Sequence, residues 1–123
     1  MDAKKNILVI DDEEGIRDLL TLAYGTEGFT VVTACDGREG IEVFKKGDFG
    51  LVFLDVNIPK VWGPEVVKAI RKIKPGQKIV LSSGSAESPE EIRKIAEGLG
   101  VYKCLVKPFE IKDLLDLTRE AMA

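Results

Sequence analysis

The sequence predicts an α/β fold, one parallel sheet with helices on both faces. Three observations lead there. Five short apolar runs rich in β-branched residues alternate with five segments whose apolar residues recur at helical spacing. Two of the runs, Ile7–Ile10 and Leu51–Leu54, are apolar throughout, as strands buried on both faces are. The helical segments also carry their own start and stop signals, and strict alternation of the two element types builds a parallel sheet.

Each element has its own warrant. The first strand, Ile7–Ile10, runs into Asp11 and Asp12. Ile16, Leu19, Leu20 and Ala23 then set the first helix, with Gly28 at its stop. Thr30–Ala34 is the second strand. The segment from Asp36 to Lys46 is a shorter helix built on Ile41 and Phe44 and closed by Gly47. Leu51–Leu54 is the third strand, followed by a helix through Val66, Ala69, Ile70 and Ile73 and a turn at Pro75-Gly76. The fourth strand is Lys78–Leu81. Ser88-Pro89-Glu90-Glu91 is a capping box with proline at the first helical position, opening a helix through Ile92, Ile95, Ala96 and Leu99 that stops at Gly100. Val101–Val106 is the fifth strand, and Ile111, Leu114, Leu115 and Thr118 mark the last helix.

The chain has 123 residues, the size of one domain, here expected over residues 1–123 with its core in about 5–122. A content of 45% hydrophobic and 32% charged residues supports both a core and solubility, and a net charge of −3 indicates no basic nucleic-acid surface. No apolar run reaches membrane-helix length, and Ile7–Ile10 is cut off by two aspartates before it can act as a signal-peptide core, so a cytoplasmic location is expected, without membrane insertion. The chain has no histidine, which excludes an internal Ser-His or Cys-His pair and a His-ligated zinc site. Cys35 and Cys104 read as small buried apolar residues in a reducing compartment.

In open parallel sheets, ligands bind beyond the carboxyl ends of the strands. The polar residues at those ends are Asp11 and Asp12 after the first strand, Asp55 after the third, Ser82 and Ser83 after the fourth, and Lys107 after the fifth. Singly, each has a plain explanation: a helix cap, a turn residue or a solvated charge. Together they put three carboxylates, hydroxyls and an ammonium on one edge. Carboxylates ~5 Å apart repel by roughly 3 kcal/mol per pair at an effective dielectric near 20, so the group requires a cation or a shared proton. Oxygen ligands without histidine or thiolate favour Mg²⁺ or a similar ion that keeps several waters. An aspartate can form an acyl phosphate, and Asp55, on a central strand, is the best placed nucleophile.

These residues closely resemble the receiver domains of two-component response regulators. The motifs are Ile-Leu-Val-Ile-Asp11-Asp12-Glu13; Leu54-Asp55-Val56-Asn57-Ile58-Pro59 with Gly63 beyond; Leu81-Ser82-Ser83-Gly84; and Leu105-Val106-Lys107-Pro108-Phe109. The resemblance covers about Lys5 to Met122. It implies a doubly wound, flavodoxin-like sheet of order 2-1-3-4-5 with five helices. It implies that Asp55 is the phosphoacceptor, that Asp12 binds Mg²⁺ with Asp11 assisting, and that Asn57 adds its main-chain carbonyl to the metal. Ser83 and Lys107 would bind and pair with the phosphoryl group, and the Lys107–Pro108 bond would be cis. The donor would be a phosphohistidine on a sensor histidine kinase or phosphotransfer protein, and the output a protein contact through the face of the fourth helix, fifth strand and fifth helix. Such a chain is a signalling switch that catalyses only its own phosphorylation and autodephosphorylation.

On that strand order the cysteines belong to opposite edges, four spacings or roughly 19 Å apart, too far for a disulfide. Cys104 stands where the family carries Tyr or Phe, three residues before the site lysine. Tyr102 falls on the same strand face by alternation and is the aromatic available to substitute. Trp62, in the loop after the acceptor strand, borders the site. Three other readings compete. An aspartate-nucleophile phosphatase of the haloacid dehalogenase kind would carry Asp-x-Asp on the first strand and a longer chain. A phosphorylation-independent interaction module would tolerate Cys104. Met1 and the stop after the last helix fit a stand-alone receiver, and a receiver excised from a hybrid kinase or longer regulator fits equally.

Overall fold

The computed structural model describes residues 5–84 and 89–123. Its elements follow in strict alternation: β1 (Asn6–Ile10), α1 (Glu14–Thr26), β2 (Thr30–Ala34), α2 (Gly37–Lys46), β3 (Leu51–Asp55), α3 (Gly63–Ile73), β4 (Ile79–Ser83), α4 (Pro89–Leu99), β5 (Lys103–Val106) and α5 (Ile111–Met122). All strand pairs are parallel, and the order is β2-β1-β3-β4-β5, the doubly wound arrangement expected.

The three central strands are buried on both faces, which is why they read as unbroken apolar runs. Leu8, Ile10, Val52, Leu54, Ile79 and Leu81 meet Phe44 of α2, Val66, Val67 and Ile70 of α3 and Ala96 of α4. On the other face Ile7, Val9, Leu51, Phe53 and Val80 meet Leu20 and Tyr24 of α1 and Leu114 and Ala121 of α5. The Tyr24 hydroxyl is buried against Thr118 Oγ1 at 2.9 Å, which ties α1 to α5.

The helix punctuation is local chemistry. Asp36 caps α2, its carboxylate accepting from the Glu39 amide at 2.8 Å. Pro64 occupies the first turn of α3. Gly28 and Gly100 follow α1 and α4 with positive φ (87° and 65°), the left-handed exit that glycine adopts without strain. Ser88 of the expected capping box lies outside the described residues.

Four expectations need correction. β4 extends through Ser83, so Ser82 and Ser83 lie inside the strand rather than after it, paired with Asp55 and Val106 or their neighbours across the ladder. β5 starts only at Lys103, because Val101 and Tyr102 precede the ladder. Strand alternation therefore does not reach back to Tyr102. Cys104 packs on the α2/α3/α4 face, whereas Tyr102 packs on the α1/α5 face under the Lys78 ammonium, 5.6 Å from the ring centre. Finally, Cys35 is exposed rather than buried, since it has already left the edge strand β2. Cys104 is partly buried, and the two thiols are free, at opposite edges of the sheet.

Candidate functional site

The carboxyl ends of β1, β3 and β5 converge. Asp11 leaves β1 and is fully buried, with its amide donating to the Ala34 carbonyl at 3.1 Å. Its Oδ1 accepts from the Glu13 amide at 2.9 Å and its Oδ2 from Lys107 Nζ at 2.9 Å, so both oxygens are fixed. Asp55 ends β3 and is 4% exposed. Its Oδ1 accepts from the Asn57 amide at 3.2 Å and its Oδ2 from Lys107 Nζ at 3.1 Å. Asp12 is exposed and completes the group: Asp11, Asp12 and Asp55 each present an oxygen within 4.8 Å of one another.

Lys107 reaches this point because its amide donates to the Ser83 carbonyl at 2.7 Å, continuing the β4–β5 ladder by one residue. The Lys107–Pro108 peptide is cis, as the resemblance implied. Lys107 Nζ also lies 3.7 Å from Glu13 Oε1. The Ser82 and Ser83 hydroxyls are buried with no hydrogen-bond partner among the described residues, an unusual state for two adjacent groups.

The electrostatics are incomplete in a definite direction. Asp11, Asp12, Asp55 and Lys107 carry −2 between them. Burial pushes the Asp55 pKa up; Lys107 opposes that shift and the Asp11 charge adds to it. Burial alone would lower the Lys107 pKa, but its bonds to Asp11 and Asp55 outweigh it and hold the ammonium above its ordinary value.

The donor set fits Mg²⁺. All three groups are hard carboxylate oxygens, their sum with Lys107 matches the charge of one divalent ion in magnitude, and Asp12 is exposed to solvent.

The family model described as "response regulator receiver domain" matches residues 7–119. The chain belongs to the response regulator receiver domain family. It is therefore of the kind that serves two-component systems as a phosphorylation-dependent signalling switch. Relatives agree. The chain is 34% identical to the transcriptional regulatory protein YkoG of Bacillus subtilis over 119 residues, 97% of this chain and 51% of YkoG, so it spans about half the length of that relative. A receiver domain protein of Methanospirillum hungatei superposes with a TM-score of 0.89 at 28% identity, covering 96% of this chain and 93% of that one. The response regulator TrrA of Thermotoga maritima, solved in complex with Mg²⁺-BeF, superposes with a TM-score of 0.83 at 34% identity, covering 95% and 98%.

The structure thus gathers Asp11, Asp12, Asp55 and Lys107, with the Asn57 amide on Asp55 and the Ser83 carbonyl holding the Lys107 main chain. Three contributors lacked an assigned role in the sequence reading. Glu13 orients Asp11 through its amide, Arg17 donates to the Asp11 carbonyl at 2.9 Å, and Ser82 presents a second unpartnered hydroxyl. The run Asp11-Asp12-Glu13 was the one signal for the first of these. Among the described residues, no helix is long and apolar enough to cross a membrane.

Proposed function

We propose that this receiver accepts a phosphoryl group on Asp55 in a Mg²⁺-dependent transfer from a phosphohistidine donor, and that it catalyses only its own phosphorylation and autodephosphorylation. The observation that carries this reading is the buried Asp55 carboxylate, hydrogen-bonded to Lys107, in an acidic group two charges short of neutrality.

Asp12, Asp55 and the Asn57 carbonyl would hold the ion, with Asp11 assisting. The bound ion would supply Lewis acidity toward a phosphoryl oxygen. The chain's own residues do the rest. An Asp55 oxygen attacks phosphorus as the donor's N–P bond breaks, and the electron pair of that bond returns to the departing imidazole. Lys107, held above its ordinary pKa, stays protonated and offers a fixed positive charge to a phosphoryl oxygen. The Ser83 hydroxyl, buried without a partner among the described residues, offers a hydrogen bond to another. An apolar groove lined by Ile16, Leu19, Pro108 and Phe109 opens beside Lys107 and gives a donor protein a surface to rest on. The cytoplasm is the compartment such a donor requires, and the downstream partner would meet the face of α4, β5 and α5.

Incubation with Mg²⁺ and a small acyl-phosphate or phosphoramidate donor, followed by mass measurement, tests the site. The wild type is expected to gain one phosphoryl mass. Asp55→Asn, and the wild type with a chelator, are expected to gain none. Undiminished phosphorylation of Asp55→Asn would overturn the assignment.

A further inference from the structure

The two loops that carry the acidic group do not touch the metal position independently. They share a support, the segment Ala34–Gly37 that joins β2 to α2. At one end the Ala34 carbonyl accepts from the Asp11 amide at 3.1 Å. At the other the Gly37 amide donates to the Pro59 carbonyl at 3.1 Å, in the loop that follows Asp55 and carries Asn57. Between them Asp36 caps α2 and also pairs with Lys60, Nζ to Oδ2 at 3.6 Å.

The approach at Gly37 is closer than any side chain permits. A Cβ there would stand 2.5 Å from the Val61 carbonyl oxygen, 2.8 Å from Val61 Cβ and 3.0 Å from Val66 Cγ2. The first of these is backbone and the last belongs to a fully buried core residue, so neither gives way cheaply. The loop pressed against Gly37 is itself tightly folded. Lys60 is held at φ 73°, costly for a residue with a side chain, and the Val61 amide turns back on the Pro59 carbonyl at 2.9 Å. The Gly63 amide closes the loop on the Val56 carbonyl, also at 2.9 Å. A turn of this kind persists only where its surroundings over-determine it, and the N-terminus of α2 is what surrounds it.

We infer that Gly37 and Asp36 are positioning residues for the metal site: the Ala34–Gly37 strut fixes the separation between the Asp11/Asp12 loop and the Asp55/Asn57 loop. This rests on the Mg²⁺ reading above. The strut supplies none of the proposed ligands, and it acts through Pro59 and Val61 on the loop that bears Asn57.

The test compares two glycines of the same helix. Gly40 is also packed tightly, but the nearest atoms a Cβ there would meet are side-chain atoms of the buried Ile10, Cδ1 at 2.6 Å, Cγ1 at 3.0 Å and Cγ2 at 3.1 Å, and none belongs to the loop after β3. Mg²⁺ affinity is read by titrating Trp62 fluorescence, since Trp62 sits half exposed at the N-cap of α3 in the same loop. Thermal midpoints are read in parallel, and amide exchange of Gly37 and Val61 is followed in the chelated protein. Gly37→Ala is expected to weaken Mg²⁺ roughly tenfold and to speed exchange at Val61, the range that loss of an outer support to a metal site produces. Gly40→Ala is expected to lower the midpoint while leaving the Mg²⁺ affinity within about twofold. Lys60→Gly removes the Asp36 tether yet relieves the positive φ, so it remains folded if Gly37→Ala does not. It is expected to weaken Mg²⁺ roughly threefold at an unchanged or raised midpoint. Wild-type affinity in both Gly37→Ala and Lys60→Gly, or in Lys60→Gly alone should Gly37→Ala not fold, overturns the strut. A wild type that binds no Mg²⁺ overturns the function reading instead.

Discussion

The two ends of the sheet treat charge in opposite ways. At the amino ends of the strands, cations meet carbonyl oxygens and the network closes. Arg71 donates to Pro75 and Gly100 carbonyls at 2.9 and 2.8 Å and to that of Gln77, and Lys78 donates to Ala121. Lys74 pairs with Asp48 at 3.3 Å. At the carboxyl ends, the Asp11, Glu13 and Asp55 carboxylates share one ammonium, and Asp12 adds a further negative charge. Of the three buried side-chain polar atoms without a partner among the described residues, two, the Ser82 and Ser83 hydroxyls, lie at this end; only Gln77 Oε1 lies at the other. A closed network holds the fold together. An open one, kept short of both charge and hydrogen bonds, is where a ligand completes the valences.

The largest effect separating the ends is expected at Lys107. In Lys107→Met the phosphorylation rate should fall about 100-fold, since a fixed charge aimed at the phosphoryl group is lost. Mg²⁺ should bind more tightly, by at least about threefold, because the ammonium no longer competes for Asp11 and Asp55. Fluorescence titration and timed mass spectra read the two separately. Weakened Mg²⁺ binding would mean that Lys107 supports the metal position rather than opposing it, and the contrast would fail.

Arg71 is the matching change at the closed end. Arg71→Met strands three carbonyl groups in two loops and is expected to cost about 2 kcal/mol of stability by urea titration, discounted for the partial exposure of the side chain. Mg²⁺ affinity and phosphorylation rate should stay within twofold of wild type, roughly the scatter of an uncoupled distant site.

Ser83→Ala follows. Losing one hydrogen bond to the phosphoryl group is worth about tenfold in rate. Stability should not fall, because the hydroxyl has no partner to lose among the described residues. Ser82→Ala is the control, and a larger rate loss there would move the phosphoryl contact from Ser83 to Ser82.

How much of this was legible from residues alone follows the same division. Unbroken apolar runs announced β1 and β3, and strand ends that turn acidic announced Asp11, Asp12 and Asp55, because burial and charge leave marks in composition. Lys107 was legible through its position after the last strand. What escaped depends on where a strand starts and on main-chain contacts. Tyr102 was assigned to the face of Cys104 because alternation was extended past the start of the ladder at Lys103, where the Tyr102 amide still bonds the Ile79 carbonyl but its side chain turns to the other face. Cys35 was read as buried from its residue type, though it sits one step past an edge strand. The carbonyl ties of Arg71 and the seat of Gly37 on Pro59 and Val61 involve backbone atoms that every residue carries, so no residue type signals them.

The smallest predicted effect tests the open end without any ligand. Asp55 has its pKa raised by burial, with Asp11 adding and Lys107 opposing. The folded chain therefore holds that proton more tightly than the unfolded one. Between the ordinary carboxylate range and the raised value the folded state binds more protons, so stability falls as pH rises; above the raised value the loss is complete and constant. At neutral pH in chelator, Asp55 is then a net burden on the fold. Asp55→Asn keeps the shape and removes the charge, while Lys107 retains Asp11 at 2.9 Å. The variant should melt roughly 4 °C above wild type, the shift about 1 kcal/mol produces at this size, and the difference should shrink as pH is lowered through the carboxylate range. Added Mg²⁺ should raise the wild type more than the variant and narrow the gap from the other side. A variant that melts below wild type in chelator would mean that Lys107 already neutralises Asp55 in full, and that the rim is closed like the far end of the sheet.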